Sequence, residues 1–180
     1  MGIIPIRALG DPVLRARAAE VDTFDATLRR LMDDMFETMY DAPGVGLAAP
    51  QVGVSLRFFV YDDGQDTKGA VANPRLVHVE GEQVEEEGCL SIPGLYYETN
   101  RAMSVRLEGQ DVDGGPISLE GEALLARIFQ HETDHLDGML FVGRLSAEDR
   151  RQAMSLLRDA ELAPEASAGR GRFSRPARRR

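Results

Sequence analysis

Five consecutive residues, His131-Glu132-Thr133-Asp134-His135, constrain this chain more than any other stretch. On an α-helix His135 falls about 40° round from His131 and one turn along, so both imidazoles look into one cleft. Glu132 lies about 100° from His131 on the same side. Imidazoles at i and i+4 can share a metal ion, and the carboxylate between them can reach a water on that metal. A helix has local support. Leu124, Leu125, Ile128 and Phe129 recur at helical spacing, Gly121 offers a start and Asp137-Gly138 a stop. Two ordinary core histidines would leave the same pattern, so the decision rests on whether another ligand exists.

The chain has a single cysteine, Cys89, which excludes an internal disulfide and leaves a thiol for packing, nucleophilic chemistry or metal ligation. Its 180 residues suit one domain with a sizeable core, and 43% hydrophobic with 28% charged residues is the balance of a soluble globular protein. No apolar run is long enough for a membrane span, and the first residues are broken too soon by Pro5 and Arg7 for a signal peptide. A cytoplasmic location is therefore expected, and a monomer.

Taken in order, Asp22 and Thr23 offer caps for a helix to about Tyr40, with Phe24, Leu28, Leu31, Met32, Met35, Phe36 and Met39 at 3–4 spacing. Gly44 to Gly53 is rich in glycine and small residues, which suits a close backbone approach; Gln51 is its one side chain able to act as an amide donor. Strands are expected at Arg57–Tyr61, at Ala70–Val79 with a break at Asn73-Pro74, and at Met103–Gly109. A hairpin turn at Asp113-Gly114-Gly115 leads into Ile117–Glu120. Gln83 to Leu90 is polar and acidic, and Ser91-Ile92-Pro93-Gly94 reads as a turn. Ser146 to Asp149 resembles a capping box opening a last helix with Ala153, Met154, Leu157 and Ala160 on its apolar face. The whole indicates an α+β fold: mainly antiparallel sheets wrapped around a central helix that carries H-E-x-x-H, then a C-terminal helix. Residues 1–162 form one catalytic domain and 163–180 an Arg-rich tail.

A catalytic zinc-type site wants three protein ligands and one position left for water. Cys89, His131 and His135 make such a set. Gly44-Val45-Gly46-Leu47-Ala48-Ala49-Pro50-Gln51, Glu87-Gly88-Cys89-Leu90-Ser91 and Gln130-His131-Glu132-Thr133-Asp134-His135, in that order, resemble the three motifs of the peptide deformylases. The resemblance runs from about Gly10 to Leu145. It implies removal of formate from N-formylmethionine on new polypeptides, with Fe²⁺ in the cell and Zn²⁺ or Ni²⁺ able to occupy the same site. It further implies Glu132 as proton acceptor and donor, and Gln51 and the Leu90 backbone N–H as oxyanion stabilisers. Val45, Gly46 and Gly88 would pair with the substrate backbone as an added strand.

Other positions are open to two readings. Glu87 either orients a ligating histidine or ends the solvated run Glu85-Glu86-Glu87. Asp134 and Arg101 form either a supporting ion pair or a plain surface pair. Leu124, Ile128 and Arg127 are expected to line the methionine pocket, Arg127 at a position where many relatives carry an apolar residue. Glu85 and Arg127, opposite in charge, are expected to pair across its rim.

Two rival functions share parts of the pattern: an H-E-x-x-H zinc endopeptidase, which ordinarily lacks a cysteine ligand, and a non-catalytic module with a closed metal site, for which His78 is the only further histidine. The charge distribution separates the body from the tail. Residues 170–180 hold six arginines and no acid; removing these from 21 basic against 30 acidic residues leaves −15 on residues 1–169. Such a body does not bind DNA non-specifically. The tail is read as a disordered, solvated end, or as a segment that contacts ribosomal phosphate near the nascent chain.

Overall fold

The computed structural model describes residues 2–65, 67–162 and 173–174, with residues 160–162 and 173–174 described by backbone alone. The first helix, α1 (Ala26–Asp41), starts later than Asp22 and Thr23 suggest. Asp25 is its cap, accepting from the Thr27 and Leu28 N–H groups at 2.9 Å each. That satisfies two of the donors a helix start leaves open. Leu28, Met32, Met35 and Met39 face a core with Phe58 and Val60.

Two sheets follow. The larger has the order β1 (Gly46–Ala48), β2 (Phe58–Asp62), β3 (Lys68–Glu80), β6 (Ser104–Gln110), β7 (Pro116–Glu122), antiparallel throughout. The expected break at Asn73-Pro74 is a register shift inside one continuous strand. Asn73 takes φ 51°, and its amide joins Val21 to Gln110, which holds the bulge. The smaller sheet pairs β4 (Gln83–Cys89) with β5 (Ile92–Arg101), and β5 in turn with β8 (Phe173–Ser174), which runs parallel to Leu95 and Tyr96. The turn expected over Ser91–Gly94 is shorter than that. Cys89 already pairs with Ile92, and the extra residues before Tyr96 are taken up where the β4–β5 register shifts. Alternating burial of Leu95, Tyr97 and Thr99 then carries a strand that the polar sequence conceals.

The motif helix α2 (Ala123–Leu136) lies between the sheets. It begins after Gly121, which belongs to β7, where an added Cβ would press on the Ala126 N and the Phe129 ring. Every residue from Ala126 to Leu136 is buried, so this is a central helix and not a one-sided surface helix. Phe129 packs its ring on Phe59 and Tyr61 of β2. Gln130 is satisfied by the backbone of Ala102, which donates at 3.0 Å and accepts at 3.1 Å. The C-terminal end is clasped by two groups. The Ala18 N–H donates to the Leu136 carbonyl at 2.9 Å, and Arg57 reaches Asp137 at 2.7 Å and the Pro74 carbonyl at 3.1 Å. A guanidinium here also opposes the negative end of the helix dipole.

The last helix, α3 (Ala147–Leu162), opens with Ser146 capped as its sequence suggests: the Asp149 N–H donates to Ser146 Oγ at 3.0 Å. Ala153 is buried and Leu156 and Leu157 are half-buried, whereas Met154 faces solvent; the Ala160 side chain lies outside the described residues. Among the described residues no helix is long and apolar enough to cross a membrane.

Gly138 fixes where α2 stops. It holds φ +73°, and a Cβ there would stand 2.5 Å from the Arg15 carbonyl oxygen, a backbone atom that cannot step aside. Gly138→Ala is expected to lose roughly 2 kcal/mol or more of stability, from the left-handed strain and the clash together. Urea denaturation measures it; a loss under about 0.5 kcal/mol, the range of ordinary surface changes, would show that the clasp on α2 is not needed.

Candidate metal centre and active site

Three elements deliver the site. The short β1 leads into a one-turn 3-10 helix, Ala49–Val52, that presents Gln51. β4 ends on Cys89, and α2 supplies His131, Glu132 and His135. Cys89 Sγ lies 3.2 Å from His135 Nε2, and the two Nε2 atoms lie 3.2 Å apart. The three donor atoms all fall within 4.8 Å of one another. Two imidazoles that turn the same nitrogen toward each other and toward a thiol fit a shared cation. One thiolate and two imidazoles are also a donor set for a borderline divalent metal.

Behind His131 stands Glu87, buried on β4. The His131 Nδ1–H donates to Glu87 Oε1 at 2.6 Å, which leaves Nε2 facing Cys89 Sγ and His135 Nε2. Arg101 from β5 donates to both Glu87 oxygens, at 2.9 and 2.5 Å, and to Asp134 at 2.6 Å. Asp134 also receives Arg144, in a fork of two bonds at 2.6 and 2.5 Å. Burial pushes Glu87 upward, but Arg101 and His131 more than offset it, so it sits far below the usual carboxylate range. For His131, burial lowers the pKa, and the bonds and charges of Cys89 and Glu87 overcome it. His135 has no such carboxylate. Burial and the charge on His131 hold it well below 6.5.

Glu132 has the opposite environment to Glu87. It is buried, and its Oε2 has no hydrogen-bond partner among the described residues. Burial raises its pKa to about 7; the charges of His131 and Arg101 pull it down and those of Glu87 and Asp134 push it up. A carboxylate tuned to that value can both take and return a proton near neutral pH. Gly46 lies directly on it: a Cβ on Gly46 would collide with Glu132 Oε1. Gln51 is oriented by the Ala48 N–H, which donates to its Oε1 at 2.8 Å and so turns Nε2 toward Ser91 Oγ at 3.3 Å and Cys89 Sγ at 3.7 Å. Leu90 stands in the tight turn just after Cys89.

The comparisons with known proteins agree with this geometry. Residues 3–151 match the polypeptide deformylase family. The chain belongs to that family. It is 52% identical over 166 residues to the peptide deformylase of Parafrankia sp., covering 92% of this chain and 91% of that one. It is 56% identical over 164 residues to that of Acidothermus cellulolyticus, covering 91% and 90%. Among solved structures, peptide deformylase from Thermus thermophilus superposes with a TM-score of 0.84 at 48% identity, covering 87% of this chain and 94% of the other. The deformylase from Legionella pneumophila gives 0.83 at 46%, covering 88% and 95%.

In this deformylase-family chain the pair expected across the pocket rim, Glu85 with Arg127, does not form. Arg127 is not on an open rim. It is buried, and its Nη1 donates to Glu87 Oε2 at 2.7 Å and to the Thr99 carbonyl at 3.1 Å. Among the described residues no bond joins it to Glu85, which faces solvent. The rim pair is displaced because Glu87, one strand repeat further along β4, is the buried and closer carboxylate. Ile128 is buried among the residues that pack α2 on the large sheet, while Leu124 keeps 42% of its surface exposed. Val45 is 43% exposed, with its carbonyl engaged by the Asp62 N–H at 3.0 Å. Gly88 lies under the Tyr96 ring, 2.5 Å from where a Cβ would be. Sequence reasoning passed over Arg144, Ser91 and the Thr99 carbonyl. Arg144 alone left a signal, a base ten residues after Asp134, and that is too common a pattern to single out.

Glu132 gives a pH prediction for the metal-free protein. Its native pKa of about 7 exceeds the ordinary 4.5, so the protonated form favours folding. That contribution is complete below pH 4.5 and lost as pH rises through 7, roughly 3 kcal/mol in all. Glu132→Gln, which cannot ionise, should therefore match the metal-free wild type at pH 4.5 and exceed it by about that amount at pH 8. Equal stability of the two at both pH values, by urea titration after chelation, would remove the buried-carboxylate account.

Proposed function

We propose that Cys89, His131 and His135 hold one divalent metal ion and that this centre removes the formyl group from N-formylmethionyl ends of new polypeptides, releasing formate. The chain is a peptide deformylase by family, a hydrolase acting on a linear formamide. The observation that carries the assignment of the site is the convergence of one Sγ and two Nε2 atoms beside a buried carboxylate with an unspent oxygen. Cys89, His131 and His135 would hold the metal, which when bound would supply a water of lowered pKa and Lewis acidity toward the formyl oxygen. Glu132 accepts the proton of the attacking water and hands it to the leaving amine. Gln51 Nε2 and the Leu90 N–H donate to the oxygen as it gains charge, each worth about 3 kcal/mol in the barrier. Gly46 on β1 and Gly88 on β4 belong to end strands of their sheets, so an extended substrate can add between them, flanked by Val45. Leu124, at the open first turn of α2, offers apolar surface to the methionine side chain.

The donor set suits Fe²⁺, Zn²⁺ and Ni²⁺; Fe²⁺ is the reading the family favours in the cell, and its thiolate ligand calls for anaerobic handling. Released formate from formyl-Met-Ala-Ser, with metal content, tests the assignment. Glu132→Ala should keep the metal and the fold and lose at least about a hundredfold in kcat. Turnover near wild type in that variant would take Glu132 out of the chemistry.

The substrate places the enzyme in the cytoplasm, at the nascent chain, and we extend the proposal to the tail. Residues 163–172 and 175–180 lie outside the described residues. Their support is charge: a −15 body would be repelled by ribosomal RNA, and six arginines can reverse that locally. Each phosphate neutralised adds roughly 0.7–0.9 to the salt slope of binding. Replacing the six arginines of residues 170–180 with glutamine, which keeps Phe173 and Ser174 of β8, should leave turnover of a free formyl tripeptide unchanged and weaken co-sedimentation with ribosomes at low salt. Equal co-sedimentation across a salt series would make the tail a solvated end only.

A further inference from the structure

Arg127 belongs to α2, four residues before His131, so the two side chains leave the helix on one face, a turn apart. Both end on the same carboxylate. Arg127 Nη1 holds Glu87 Oε2 at 2.7 Å, and His131 Nδ1 holds Oε1 at 2.6 Å. The guanidinium is itself fixed from β5, where the Thr99 carbonyl accepts from the same Nη1 at 3.1 Å. Arg101 donates to both Glu87 oxygens, at 2.9 and 2.5 Å, and its third bond goes to Asp134. That grip comes from β5. Arg127 adds a second donor to Oε2 from α2 itself, so the carboxylate is also held by the helix that carries His131, and Oε1 stays aimed at the His131 ring.

We propose that Arg127 is a positioning residue of the metal centre: it holds Glu87 so that His131 presents Nε2 toward Cys89 and His135. This rests on the assignment of Cys89, His131 and His135 as metal ligands. Arg127 acts through Glu87: its bonds go to Glu87 and the Thr99 carbonyl, and none joins it to Cys89, His131 or His135. The role differs from that of a pocket wall, and the two make opposite statements about kinetics. A wall residue governs KM and the choice of side chain. A positioning residue governs metal affinity and kcat, with KM for the same substrate little changed.

The test compares Arg127→Met, which fills the space but donates nothing, and Arg127→Lys, which keeps one charged donor. Co²⁺ is bound to each full-length protein in competition with a chromophoric chelator, and the visible Co²⁺ bands are recorded alongside thermal unfolding. Arg127→Met should bind Co²⁺ 10- to 100-fold more weakly, the usual effect of losing a group behind a ligating histidine. Its bands should shift, its kcat fall and its KM hold. Arg127→Lys should recover part of both affinity and spectrum. A Glu87→Gln variant and the double variant should show losses that do not add, because both act on one contact. Should Arg127→Met unfold, the Lys variant carries the test, with an affinity between wild type and Glu87→Gln expected. Unchanged Co²⁺ affinity and bands in both variants, with KM raised, would make Arg127 a pocket wall and overturn the inference. Failure of the wild type to bind one Co²⁺ would instead overturn the ligand assignment, and this inference with it.

Discussion

The Glu87 carboxylate is the contact on which the rest of this structure depends. It joins β4, which ends on Cys89, to α2, which carries both histidines. Those two halves of the site come from different layers and share no backbone pairing. Across that gap, Glu87 receives Arg101 from β5 and Arg127 and His131 from α2, and Arg101 passes the connection on to Asp134 and Arg144. Taking such charges out of water costs several kcal/mol per ion, and a well-packed apolar set of the same volume would be about as stable. Direction is what an apolar set could not supply. A carboxylate with donors on both oxygens has one orientation, and the ring bonded to it has one as well.

Glu87 and Glu132 are both buried within this site, yet burial alone would drive both upward. Glu87 has Arg101 and His131 hydrogen-bonded to it and stays ionised. Glu132, whose Oε2 has no partner among the described residues, feels the same two cations only through space, set against Glu87 and Asp134, and burial holds it near 7. Direct hydrogen bonds from the cations, more than their number, separate the two acids.

How much of this was legible in the sequence follows from what each kind of signal measures. The three motifs were legible because their spacing is local: His131 and His135 share a face whatever surrounds the helix, and Cys89 is the only thiol. The mainly antiparallel α+β arrangement followed from turn residues and alternation. Burial was not legible. Helical spacing gave the side of α2 on which Arg127 lies but not its depth, and a charged residue on a cleft side reads as a rim until a second carboxylate is known to lie beneath it. β5 was missed for a related reason. Tyr96, Glu98 and Asn100 alternate with Leu95, Tyr97 and Thr99, but Pro93 and Gly94 precede them and read as a turn. Only pairing with β4 makes that stretch a strand. The partners of Gln51 were hidden because they depend on how the Ala49–Val52 turn meets Ser91, forty residues away.

The glycines of the first two motifs are then explained by contact and not by flexibility. Gly46 is in an end strand with Glu132 directly against it, so any side chain would displace that carboxylate. Gly88 is in the end strand opposite, under the Tyr96 ring, immediately before Cys89. A Cβ at Gly46 would push on Glu132, and one at Gly88 on the Tyr96 ring that β5 sets opposite it. The two glycines thus let the end strands of both sheets stand close to the groups packed on them, the α2 carboxylate at one and the β5 ring at the other. Close contact, and not a need for unusual backbone angles, accounts for glycine at both positions.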